Sequence, residues 1–133
     1  MHRIAENILE SWFAAGQTPR RKPLVLRGAR QVGKSTLVRN HAKQKGLCLN
    51  EVNLERHRSL DKIFASLDMT VIRHELEALV GGSITQPNSV LFLDEIQATP
   101  HALPVLRYFY EDLPDVPVLA AGSLLEFTLS DHS

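Results

Sequence analysis

A short glycine-containing segment with one lysine carries the clearest chemistry in this chain. It runs Gly28-Ala29-Arg30-Gln31-Val32-Gly33-Lys34-Ser35 and fits G-x-x-x-x-G-K-[ST] at every fixed position. Glycine is needed where backbone N–H groups wrap a polyphosphate, because a Cβ would clash or φ must be positive. Lys34 would reach the terminal phosphates, and the Ser35 hydroxyl would bind Mg²⁺. This phosphate loop predicts binding of a nucleoside triphosphate, and we expect ATP with Mg²⁺.

The sequence around the phosphate loop supports that prediction. An apolar strand is predicted before it, and a helical pattern begins near Lys34, which is the arrangement the motif requires. The helix would add its unpaired N-terminal amides and its dipole to the same anion. A chance match in a chain of this length is expected on the order of once in a few hundred chains. We expect nucleotide contacts from Gly28, Ala29, Arg30, Gln31, Val32, Gly33, Lys34, Ser35 and Thr36.

The second candidate motif is a run of apolar residues followed by two acidic residues. Residues 90–93 are Val-Leu-Phe-Leu, and Asp94 and Glu95 follow. An unbroken apolar run is typical of a strand covered on both faces. A carboxylate at the end of such a strand can hold Mg²⁺, and an adjacent glutamate can deprotonate an attacking water. We therefore expect Asp94 to bind the metal and Glu95 to be the hydrolytic base; the alternative is a strand end with solvated acids.

Two polar residues at the ends of other predicted strands could complete the site. Asn53 could hydrogen-bond Glu95 and hold it away from water until a ligand or partner arrives. Ser123 could touch the γ-phosphate or the attacking water. Each hypothesis competes with an ordinary polar residue at a strand end. Arg107 follows on a predicted helix, where we expect a solvated side chain rather than a catalytic one.

The other reactive side chains show no pattern that predicts a second site. Cys48 is expected to be a small core residue, and a lone cysteine without an internal disulfide fits a reducing compartment. The basic run at residues 20–22 could face phosphates, but a solvated loop is the expectation. The six histidines are scattered without metal-ligand spacing: His2, His41, His57, His74, His101 and His132.

The composition is that of an ordinary folded domain. The 133 residues are 44% hydrophobic and 23% charged, which excludes a disordered chain. Fifteen basic and fifteen acidic residues give a net charge of zero, so there is no global attraction to nucleic acid or anionic lipid. There is no signal-peptide core and no apolar run near the ~18 residues of a membrane span. We expect a cytoplasmic protein with no membrane partner.

Alternating helices and strands must position these residues. Strands are predicted at 23–27, 47–53, 90–93 and 116–122, and helices at 2–15, 34–45, 58–67 and 70–80. A further helix opens at Thr99-Pro100 or Leu103-Pro104 and ends before Pro114. This alternation predicts an α/β fold with a mainly parallel sheet.

The motifs resemble those of the prokaryotic AAA-type ATPases, which are often described only as ATP-binding proteins. The resemblance covers residues 20–128 and rests on residues 27–36, 52–55, 91–97 and 121–123. It implies a three-layer P-loop NTPase with strand order 5-1-4-3-2. It also implies that Lys34, Ser35 and Asp94 bind Mg-nucleotide, that Glu95 is the base, and that Ser123 is the sensor. In many members a C-terminal nuclease-like domain follows.

The chain departs from the family pattern after Ser123. Residues 124–133 are too few for a fifth strand, a helical lid and an arginine finger, and the loop strand would then lie at an exposed edge. We therefore expect residues 1–133 to be a single, truncated AAA-type domain that a C-terminal domain or a partner protein completes. Oligomerisation and a nucleic-acid partner both remain open.

Three functions share the phosphate loop. The leading hypothesis is an ATPase that does conformational work on an unidentified partner, although a truncated chain could be inactive alone. A small-molecule or nucleoside kinase would need an arginine-rich lid, and the acidic pair argues mildly against it. The third is a nucleotide switch without hydrolysis, which the early end of the chain makes credible.

Overall fold

The computed structural model describes residues 2–14, 22–28 and 34–123 of the chain, and helices and strands alternate through them. The described strands are β1 (Leu24–Gly28), β2 (Cys48–Asn53), β3 (Ser89–Asp94) and β4 (Val118–Ser123). The described helices are α1 (His2–Ala14), α2 (Lys34–Gln44), α3 (Leu60–Ala65), α4 (Met69–Val80) and α5 (Ala102–Asp112), with a short 3₁₀ turn at Ile96–Ala98.

The four described strands form one sheet in the order β1-β4-β3-β2, and every neighbouring pair is parallel. This confirms the predicted α/β fold and corresponds to the order 5-1-4-3-2 without its fifth strand. Residues 124–133, where a fifth strand was not expected to fit, lie outside the described part. Because the strands are parallel, their carboxyl ends share one edge, where Gly28 pairs with Ser123 and Asn53 with Asp94.

The sheet has helices on both faces, and β3 shows why. Alternate residues of a strand point to opposite faces, and here both faces are apolar. Val90 and Phe92 belong to the core that α1 and α2 cover, whereas Leu91 and Leu93 belong to the core that α3, α4 and α5 cover. All four side chains are buried. The prediction of a strand covered on both faces is therefore confirmed, and the layers are helix, sheet and helix.

Several elements begin or end one to three residues away from their predicted limits. Strand β4 starts at Val118 rather than at residue 116, because the N–H of Val116 closes a turn onto the carbonyl of Leu113. Helix α3 starts at Leu60 rather than at residue 58, since residues 53–60 form successive turns. Helix α5 starts at Ala102, between the two predicted openings, and has Pro104 in its first turn.

Candidate functional site

The phosphate loop and the acidic pair meet through one side-chain contact. Ser35 lies at the start of α2 and Asp94 at the end of β3, 59 positions later. The Ser35 hydroxyl donates a hydrogen bond of 2.5 Å to Oδ2 of Asp94. The strand order makes this contact possible, because β4 alone separates β1, which leads into the loop, from β3. The two residues predicted to bind the metal are therefore adjacent.

Asp94 is an almost fully buried residue whose carboxylate lies within the field of the Lys34 ammonium. Asp94 is 8% exposed, and its Oδ1 accepts a hydrogen bond of 2.9 Å from the N–H of Glu95. Burial raises the pKa of Asp94, the hydrogen bonds from Ser35 and the Glu95 N–H oppose that rise, and the negative charges of Glu95 and Glu51 add to it. A divalent cation would add positive charge next to this buried carboxylate.

A Mg²⁺ ion fits the donor atoms of this pair. A hydroxyl and a carboxylate are both hard oxygen ligands, which Mg²⁺ prefers. Among the described residues there is no group of three or more histidines, cysteines or acids that could hold a metal by itself. A Mg²⁺ that arrives with nucleotide would take its other ligands from phosphate and water.

Lys34 connects the start of α2 to the central strand β4. Its Nζ donates a hydrogen bond of 3.0 Å to the backbone carbonyl of Gly122. Burial lowers the pKa of Lys34, and the nearby carboxylates of Glu95 and Asp94 act in the opposite direction. The ammonium therefore lies within the field of both acids, at the edge where the strands end.

Glu95 has an uncommon backbone conformation. Its φ of 55° and ψ of 48° lie in the left-handed region, which residues with a Cβ rarely adopt. Its carboxylate oxygen Oε1 accepts a hydrogen bond of 2.7 Å from Nε2 of Gln97. No role for Gln97 was predicted from the sequence. The signals for it were its place in the segment 91–97 that carries the family resemblance and its position two residues after the acid.

Asn53 lies beside Asp94 in the sheet, but part of its side chain is used locally. Its Oδ1 accepts hydrogen bonds from the N–H groups of Glu55 at 2.9 Å and Arg56 at 3.3 Å. The amide oxygen therefore stabilises the turn that follows β2. The hydrogen bond from Asn53 to Glu95 stays a prediction.

Several predicted site residues are described only in part. Residues 29–33 of the phosphate loop lie outside the described part of the chain. Gly28 is described by its backbone at the end of β1, and Thr36 is exposed on α2. The backbone of Ser123 ends β4 beside Gly28, whereas its side chain lies outside the described part. The proposed roles of these residues stay predictions.

The structure also shows an ion pair that the sequence analysis missed. Arg39 on α2 binds both carboxylate oxygens of Glu51 on β2, with Nε and Nη2 at 2.8 and 2.7 Å. Glu51 precedes Asn53 by two residues, so the period of a strand places both on one face. Arg107, in contrast, is 80% exposed and pairs with Glu111 on its own helix at 3.0 Å, which confirms a solvated side chain. The prediction that Cys48 is a small core residue was wrong, because it begins the edge strand β2 and is exposed there.

A cavity of about 510 Å³ lies at the opposite edge of the sheet. It is formed by loops that lead into the strands, and its lining includes Lys45, Asn88 and Asp115. Neither Ser35 nor Asp94 lines it. The predicted phosphate-loop and acidic side chains Ser35 and Asp94 therefore lie at the carboxyl edge of the sheet, away from this cavity.

Three comparisons with known proteins were made for the chain. A family model described as AAA domain matches residues 20–133. No curated protein matches the chain. A solved structure of a DNA replication initiation factor is similar with a TM-score of 0.49 and 16% sequence identity, over 91% of this chain. This chain spans 37% of the length of that one. No helix in residues 2–14 or 34–123 is long and apolar enough to cross a membrane.

Proposed function

The chain belongs to the AAA domain family, and from that premise we propose that it binds ATP with Mg²⁺ and hydrolyses it to ADP and phosphate. Nucleotide binding is supported at the level of the family, whose members are P-loop ATPases. The observation that carries the proposal is the hydrogen bond between Ser35 and Asp94. It brings the metal-binding ends of the two motifs together beside Lys34 and Glu95.

The binding step uses the phosphate loop and the start of α2. Backbone N–H groups of the loop and the N-terminal end of the helix would hold the phosphate oxygens. The ammonium of Lys34 would exchange the Gly122 carbonyl for a phosphate oxygen. Ser35 and Asp94 would hold Mg²⁺, which supplies positive charge to the β- and γ-phosphates when it is bound. Binding therefore replaces contacts that the protein makes with itself.

The hydrolytic step uses Glu95. The oxygen of a water molecule forms a bond to the γ-phosphorus while the bond from that phosphorus to the β-phosphate oxygen breaks. The carboxylate of Glu95 accepts a proton from the water, and ADP leaves with the electron pair of the broken bond. Lys34 offsets negative charge on the phosphate oxygens during this step. We propose Glu95 as the base because it follows Asp94 directly at the carboxyl end of β3.

We further propose that turnover performs conformational work on a partner. The contacts that nucleotide would replace link different elements: Ser35 with Asp94 joins α2 to β3, and Lys34 with Gly122 joins α2 to β4. Exchanging these contacts for phosphate and metal would change how α2 is held against the strand ends. Such a change is what a partner bound to this edge could sense.

The substitution Glu95→Gln tests the hydrolytic proposal. It retains side-chain size but removes the base, so phosphate release should fall at least ~100-fold while the affinity for ATP stays near wild type. Glu75→Gln on α4 is the matched control and should leave both unchanged. Turnover at the wild-type rate in Glu95→Gln would remove Glu95 from the mechanism. If the wild-type protein binds ATP but releases no phosphate, the result would favour the switch hypothesis.

A further inference from the structure

The amide of Gln97 and the carboxylate of Glu95 form a direct contact within the candidate site. Nε2 of Gln97 lies 2.7 Å from Oε1 of Glu95. The direction of this bond is determined by chemistry, because an ionised carboxylate only accepts and the nitrogen is the donor half of the amide. A donor aimed at the proposed base can orient it, as the third group does in catalytic triads.

We propose that Gln97 is a positioning residue that orients the Glu95 carboxylate for proton transfer, an inference that rests on the proposed function. Gln97 itself is on a well-anchored turn. The neighbouring Ile96 is 0% exposed in the core, and the N–H of Ala98 donates to the carbonyl of Glu95 at 3.0 Å. The amide is therefore presented from a rigid position rather than from a free loop.

The backbone of Glu95 is held by the same turn. Its N–H donates to Oδ1 of Asp94 at 2.9 Å, and its carbonyl accepts from Ala98. A left-handed conformation at a residue with a Cβ persists when the surrounding contacts over-determine it. Backbone and side chain of Glu95 are thus both held by local bonds that need no nucleotide. The base is oriented before the substrate arrives, which lowers the cost of reaching the reactive geometry.

The described contacts of Asn53 and Gln97 differ in whether they reach Glu95. The amide oxygen of Asn53 accepts two N–H groups of its own turn, which fixes that side chain to the end of β2. Gln97 instead contacts the carboxylate directly. We therefore assign the orientation of Glu95 to Gln97.

The substitution Gln97→Met tests this assignment, because methionine has a similar length and no donor. In the full-length protein we expect kcat to fall about tenfold, as for other residues that orient a catalytic group, with the Kd for ATP within twofold of wild type. Gln86→Met, in the exposed turn before β3, is the matched control and should leave both constants unchanged. A kcat for Gln97→Met within twofold of wild type, or above it, would overturn the proposal.

A second variant tests the donor itself and remains informative if Gln97→Met does not fold. Gln97→Glu places two carboxyl groups together, and only the protonated form of the introduced group can donate to Glu95. The ratio of its kcat to that of wild type should rise as the pH falls from about 8 to about 6. A ratio that does not change with pH would contradict a donor role. If Glu95→Gln retains turnover, Glu95 is not the base and the role of Gln97 is overturned with it. If the wild-type protein binds ATP without turnover, the proposed function fails instead, whatever the Gln97 variants show.

Discussion

The ammonium of Lys34 and the backbone carbonyl of Gly122 are joined by a hydrogen bond of 3.0 Å, although the residues lie 88 positions apart. Lys34 begins α2, and Gly122 lies near the end of β4, the strand between β1 and β3. The lysine is thereby held at the edge where all four strands end. A phosphate at this edge would compete with a neutral carbonyl for the ammonium, and the charged acceptor makes the stronger hydrogen bond.

Replacing this lysine should abolish stabilisation by nucleotide. Wild-type protein with ATP and Mg²⁺ at about 100 times Kd should gain about 2.7 kcal/mol in free energy of unfolding. Lys34→Ala should show no gain, because the phosphates lose their ammonium partner. Thermal unfolding with and without nucleotide measures the difference. Lys43→Ala, near the other end of α2, is the control and should retain the full gain. If Lys34→Ala is still stabilised by nucleotide, the phosphate loop has been assigned wrongly.

Replacing Asp94 should stabilise the nucleotide-free protein while it removes metal binding. Burial raises the pKa of Asp94 above its ordinary value of 3.8, so the folded protein binds this proton more tightly than the unfolded chain does. The stability that the neutral carboxyl contributes is fully present below pH 3.8 and is lost as the pH rises through the folded pKa. Asp94→Asn carries no charge at any pH and should therefore have the higher Tm near neutral pH.

The Tm of Asp94→Asn and of the wild-type protein, measured from pH 3.8 to neutral pH, tests the prediction. The difference between Asp94→Asn and wild type should shrink towards zero as the pH approaches 3.8. Mg²⁺-dependent stabilisation by ATP should be lost in the variant. Asp112→Asn, at the exposed end of α5, should follow wild type at every pH. A lower Tm for Asp94→Asn near neutral pH would mean that the charged carboxylate stabilises the fold.

Replacing Asn53 should destabilise the fold through its turn. Asn53→Ala removes the acceptor for the N–H groups of Glu55 and Arg56, which we expect to cost about 1 kcal/mol in free energy of unfolding. Asn53→Ser should recover part of the lost free energy of unfolding, since a serine hydroxyl can accept a hydrogen bond in a similar turn. Urea denaturation measures both variants. Equal stability of Asn53→Ala and wild type, together with altered turnover, would instead support the predicted contact with Glu95.

Most of the fold follows from local patterns. The unbroken apolar run before Asp94 predicted a strand covered on both faces, and Gly46, with φ +68, lies just beyond the end of α2, where glycine adopts the left-handed conformation readily. The limits of β4 and α3 could not be predicted, because turns at residues 113–116 and 53–60 compete there for the same backbone groups. Local propensity does not decide which hydrogen bond a backbone N–H makes at such a junction.

The candidate site, like the fold, was predicted from the sequence only in part. By itself the sequence determined the phosphate loop and the acidic pair, because each is a contiguous pattern whose chemistry depends on residue type and local spacing. Only the tertiary structure decided the partners: Ser35 with Asp94, Lys34 with Gly122, and Gln97 with Glu95. The first two contacts depend on which strands are neighbours in the sheet, and the third on a left-handed backbone at Glu95. Spacing along the chain specifies neither the order of strands nor the direction of a side chain after such a turn.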